Sequence, residues 1–164
     1  MSRRAFAVGL VLTGTLLFGK VLAACTPTPE LWGKVQYWAK GFGLDPLLLY
    51  ALVWEESRFC PQAVGSKGEI GLGQARPSTA LSLGVRHPSY LYDPDWNLYA
   101  TARYLRSMYE RFGDWRRALQ AYNAGPSRVA SGTVPASSRR YAERILASYA
   151  WLRQRLEGRG RGGG

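Results

Sequence analysis

The chain has 164 residues, with 22 Lys and Arg against 11 Asp and Glu, a net charge of +11. Its 46% hydrophobic content, with six Trp and ten Tyr, supplies a core for one domain and excludes wholesale disorder. Two Cys and one His exclude a structural zinc cluster, which takes about four soft ligands, and leave only His87 for any Ser-His-Asp site. Residues 1–24 read as an export signal: Arg3 and Arg4 form a basic start, Ala5 to Gly19 is uncharged and largely apolar, and Leu22-Ala23-Ala24 offers small residues for cleavage. The apolar run, about 15 residues closed by Lys20, is shorter than the ~20 that span a bilayer; retention as an uncleaved anchor is the second choice. Loss of Arg3, Arg4 and Lys20 takes the charge from +11 to +8.

Cys25 has two readings. Leu22-Ala23-Ala24-Cys25 resembles a bacterial lipobox, in which the Cys carries lipid, although Lys20 is a charge where such signals are usually uncharged. Alternatively Cys25 pairs with Cys60, since export permits disulfides and the two Cys flank neighbouring ends of a predicted helical hairpin. Closing a loop of that size is worth about 3–4 kcal/mol in the chain-entropy model.

The rest reads as helices with punctuating loops. Thr28-Pro29-Glu30 combines a hydroxyl cap, an early proline and a carboxylate at the positive dipole end; Leu31, Val35, Trp38 and Phe42 then mark one face until Gly41 and Gly43. Asp45-Pro46 opens a second helix with Leu48, Leu49, Leu52 and Val53 inward, stopped by Pro61. Gly65, Gly68, Gly71 and Gly73 predict a loop over 60–76, with room for one very small β element. Pro77-Ser78-Thr79-Ala80 starts a short helix that stops by Gly84. Asp93-Pro94-Asp95 precedes a long amphipathic run through Leu98, Ala102, Leu105, Tyr109 and Phe112, and Trp115 to Ala124 forms another helix, ended by Gly125-Pro126. A turn-rich stretch from Ser127 to Ala136 leads to a last helix marked by Tyr141, Ile145, Tyr149, Leu152 and Leu156. Residues 25–157 thus form one domain of the all-α class, and 158–164 a disordered Gly/Arg tail.

Glu55-Glu56-Ser57 falls at the C-terminal end of the second helix, where the dipole disfavours anions. Val53, Trp54 and Phe59 add apolar surroundings, and both effects push a carboxyl pKa upward, as a general acid needs near neutral pH. A pair of surface glutamates, one bound to Arg58, is the plain alternative on composition alone.

The wider pattern decides between them. Glu56-Ser57-Arg58-Phe59 is followed by Gly71-Leu72-Gly73-Gln74, Pro77-Ser78-Thr79-Ala80, and Ala121-Tyr122-Asn123-Ala124-Gly125. In this order the motifs, spanning about residues 30 to 150, strongly resemble the soluble lytic transglycosylase catalytic domain, a lysozyme-like helical fold related to goose-type lysozyme. The resemblance implies that Glu56 is the acid/base, that Gln74, Tyr122, Asn123 and Tyr141 face the sugar groove, and that Ser57 belongs to the substrate-binding set. Glu55, about 100° round the helix, should face elsewhere. Four positions depart from the family pattern: Gly73 stands for a Met, Gly65 for a Ser nine residues after the acid, and Ser137-Ser138 for a Glu-Thr.

The resemblance implies cleavage of the MurNAc-β-1,4-GlcNAc bond of peptidoglycan with formation of 1,6-anhydro-MurNAc. One carboxyl serves, where most glycosidases use two. Neither metal nor organic cofactor is implied. One alternative is a hydrolytic goose-type muramidase with Glu69, thirteen residues on, as second carboxylate; another is a non-catalytic wall-binding module. Glu69 beside Lys67 and Gly68 otherwise reads as a solvated loop charge. The positive charge suits an anionic envelope, and no nucleic-acid motif is present. The expected partner is the glycan strand, met by a monomer in the periplasm or cell envelope. A secretion, conjugation or pilus apparatus is a setting that such an exported domain could serve.

Overall fold

The structure, a computed structural model, describes residues 25–161; the export-signal reading of residues 1–24 and the last three residues of the tail lie outside the described residues. Among the described residues, six of the eight helical elements begin on a proline, whose fixed φ suits the first helical turn and whose missing N–H costs nothing there. They are α1 (Pro29–Gly41), α2 (Pro46–Ser57), α3 (Pro77–Ser82), a 3-10 turn (Pro88–Tyr92), α4 (Pro94–Phe112) and α6 (Pro126–Ala130). The remaining two are α5 (Trp115–Ala124) and α7 (Ala136–Arg161). Side chains complete the starts: Thr28 accepts from the Leu31 N–H, Asp45 from Leu47, Asp93 from Asp95 and Trp96, and Asp114 from Arg117.

Helix α2 is apolar nearly all round, which marks a central helix. Leu48, Leu49, Ala51, Leu52 and Val53 are all buried, with α1 and α7 packed beside it. Helix α4 packs on α1 and α5, and α5 on α7, closing the main core. A second, smaller core of Ile70, Ala75, Ala80, Val85, Leu91 and Ala100 joins the 60–76 loop, α3 and the 3-10 turn to α4. The architecture is the expected all-α one, and the small β element of the 60–76 loop amounts to two isolated antiparallel bridges, Val64–Ile70 and Ile70–Ala75.

Three elements differ from the sequence reading. The turn-rich stretch after Ala124 holds the short helix α6. The segment after α3 forms a 3-10 turn capped by His87, whose ring nitrogen accepts from the Ser89 N–H. Helix α7 starts directly after Pro135, so Tyr141 lies within it, and it continues through Gly158 to Arg161, into the segment read as a tail. Extending a helix adds one hydrogen bond per residue ordered, and that outlasts a glycine's ~1 kcal/mol propensity cost. Among the described residues no helix is long and apolar enough to cross a membrane.

Candidate active site

Glu56 stands in the last turn of α2, partly exposed, and lines a groove. Burial is the largest cause lifting its pKa, to about 7, and the negative charges of Glu55 and Glu69 push the same way. A hydrogen bond opposes them: the Tyr141 hydroxyl, from α7, donates to Glu56 Oε1 at 2.5 Å. Among the described residues no hydrogen bond engages Oε2. Glu55 turns away, as its helical offset requires, and its Oε1 is held at 2.6 Å by Arg144 of α7.

Directly below, the chain leaves α2 through two consecutive left-handed residues, Arg58 (φ 53°) and Phe59 (φ 61°). Non-glycine residues resist this conformation. Here Phe59 is buried against Tyr50, Arg58 lies 4.7 Å over the Trp54 ring, and Cys60 is joined to Cys25 by a disulfide with Cα atoms 5.0 Å apart.

The groove is about 450 Å3 in volume. Loop 60–76 and α3 supply Gln74, Arg76 and Thr79 to its lining, and α4 and α5 supply Tyr104, Tyr122 and Asn123. Gln74 is itself left-handed (φ 47°), and its Nε2 donates to the carbonyls of Ala63 and Gly71 at 3.2 and 3.0 Å, so its amide knits the loop together while its side chain lines the groove. The Tyr122 hydroxyl donates to the Gly73 carbonyl at 2.7 Å, and burial raises its pKa. Asn123 Oδ1 accepts from Ser138 of α7 at 2.7 Å, one of the two serines that depart from the family's closing segment.

Of the residues singled out in the sequence, Glu56, Gln74, Tyr122 and Asn123 meet on this groove. Tyr141 does not line it; it is buried behind Glu56 and holds the carboxyl from the protein side. Ser57 faces the interior, its Oγ bonded back to the Val53 carbonyl at 3.4 Å, because one residue's rotation beyond Glu56 points it into the core. It takes no part in the groove lining.

Asn97 of α4 escaped the sequence reading. Wholly buried, it donates to the carbonyls of Ile70 and Leu91 at 2.8 and 2.7 Å and accepts from the Gly73 N–H at 2.8 Å. It staples the glycine-rich loop to the helix behind it. A polar residue at a core register of an amphipathic helix was the available signal. Gly73 is glycine because a Cβ there would overlap Thr101, so its departure from the family's Met reflects a wall already filled by α4.

An all-α scaffold that sets a carboxyl of raised pKa, backed by a tyrosine, on a polar groove is of the lysozyme-like kind. The sequence model of the transglycosylase SLT domain matches residues 33–145, and the chain belongs to that family. It is 34% identical over 120 residues to a transglycosylase of Enterobacteria phage PRD1, an alignment covering 70% of this chain and 43% of the relative. It is 31% identical over 127 residues to the soluble lytic murein transglycosylase of Escherichia coli K12, covering 63% of this chain and 20% of that protein. The crystal structure of the 70-kDa soluble lytic transglycosylase of E. coli superposes with a TM-score of 0.71 at 26% identity, over 80% of this chain and 25% of that one. The chain thus spans less than half the length of these relatives.

Proposed function

We propose that the protein is a peptidoglycan lytic transglycosylase in which Glu56 is the sole acid/base. Glu56 gives its proton to the oxygen bridging MurNAc C1 and GlcNAc O4, and the C1–O4 bond breaks with both electrons going to that oxygen. The carboxylate so formed then takes the proton of the MurNAc 6-hydroxyl as O6 bonds to C1, which yields the 1,6-anhydro sugar and restores the acid. The substrate's acetamido oxygen shields C1 in between, so a second protein carboxylate is not required. Tyr122 and Asn123, at the groove beside Glu56, orient the acetamido group and steady the charge that develops.

The observation that carries this reading is the pKa of about 7 of a groove-facing glutamate in a chain of this family. A carboxyl so poised is protonated for the first step and a competent base for the second. The rest of the proposal is cellular. Residues 1–24 direct export to the periplasm or envelope and are removed, and residues 25–157 form the working domain, a monomer, able to open the wall locally for a secretion, conjugation or pilus apparatus. Cys25 serves as a disulfide partner and not as a lipid anchor; its sulfur is bonded to Cys60, and one sulfur cannot also form a thioether. The net charge after export, +8 by composition, favours approach to an anionic wall.

Digestion of purified sacculi with the mature chain and with Glu56→Gln tests the reading. Fragments lighter by one water than hydrolytic products, released only by the unsubstituted protein, are expected. Hydrated reducing ends, or equal release by the variant, overturn it.

A further inference from the structure

Resting on the glycan reading of the groove, we propose that Glu69 is a specificity-determining residue: its carboxylate fills the wall space left bare at Gly65 and accepts a hydrogen bond from a hydroxyl or acetamido N–H of the bound amino sugar. Two observations carry this. A Cβ at position 65 would stand 2.5 Å from Glu69 Oε2 and 2.7 Å from Gln74 Oε1, so the glycine exists to admit these two side chains. Glu69 is also fixed in direction, because its Oε2 accepts from the Lys67 N–H at 3.0 Å while Oε1 lies 3.7 Å from Arg76 Nε.

A solvated loop glutamate would need none of this. Glu69 is partly buried, lines the same groove as Glu56, and keeps a loose ion pair at an exposed arginine. A carboxylate is acceptor-only, which matches the donors that an N-acetylated sugar presents and rejects a like-charged substituent. Its charge also bears on Glu56, pushing that carboxyl upward.

The test uses N-acetylglucosamine oligomers as probe, with binding measured by calorimetry on Glu56→Gln, which cannot turn over. Adding Glu69→Gln, which keeps the shape, is expected to weaken binding about tenfold, the range for one hydrogen bond to a charged acceptor. Gly65→Ala, which crowds Glu69 and Gln74 alike, should weaken it at least as much. With Glu56 intact, Glu69→Gln should raise KM more than it lowers kcat and move the alkaline limb of kcat/KM to lower pH. A purely structural glutamate would do neither. Equal binding by Glu56→Gln with and without Glu69→Gln overturns this inference alone. Oligomers that bind neither protein overturn the glycan reading and the inference together.

Discussion

The Tyr141 hydroxyl donates to Glu56 Oε1 across 85 residues of sequence, tying the start of α7 to the end of α2 at the groove carboxyl. The bond lowers the Glu56 pKa against the larger effect of burial. Tyr141→Phe should therefore move the alkaline limb of the pH–rate profile to higher pH and cost about tenfold in kcat through lost orientation of the carboxyl. Turbidity assays on sacculi from pH 5 to 9 read both effects. An unmoved limb would show that the hydroxyl does not touch the acid.

Glu56 should also weaken the fold that carries it. Its folded pKa of about 7 exceeds the ordinary 4.5, so the folded state holds the proton more tightly and stability falls as pH rises between those values. Glu56→Gln removes the buried charge. Denaturant titration should show the variant more stable by roughly 1–2 kcal/mol at pH 8, a figure discounted for the groove's solvent, and nearly unchanged at pH 4. An equal gain at both pH values would assign the effect to packing.

Gly73 is clamped between Asn97, which accepts from its N–H, and Tyr122, which donates to its carbonyl. Its Cβ direction points into Thr101. Gly73→Ala should cost about 1–3 kcal/mol from overpacking, with part recovered in a Thr101→Gly background. Urea midpoints of the single and double variants measure the recovery. Additive losses would mean that the two positions do not meet.

The Cys25–Cys60 bond closes a loop with a sequence separation of 35. The chain-entropy relation gives about 4 kcal/mol for a loop of this size. Cys25→Ser with Cys60→Ser, or reduction, should lower the urea midpoint and raise the slope m, because the uncrosslinked denatured chain exposes more surface. A midpoint insensitive to reductant would show that the thiols are not joined in solution.

Much of the helical frame was legible because helix starts are local chemistry. Thr28-Pro29, Asp45-Pro46 and Asp93-Pro94 each place a cap and a proline side by side, and the structure begins helices there. Helix α6 was less visible: five residues behind Gly125 carry too little periodicity to stand out from turns. At the site, Glu56 was singled out by the order of the motifs around it, since its apolar neighbours alone left a surface pair of glutamates open. Which side Ser57 and Tyr141 take was not legible, because it depends on the packing of α2 against α7. Motifs name neighbours of a site; they do not distinguish a groove-facing side chain from one that braces it from within, as Tyr141 does. Asn97 stayed hidden for a related reason, since its three backbone partners lie on two separate loops.

The sulfur bridge sits four positions beyond Glu56, just outside the two left-handed residues that end its helix. Opening that bridge frees the chain just beyond Glu56, so reductant is expected to disturb the groove as well as the fold.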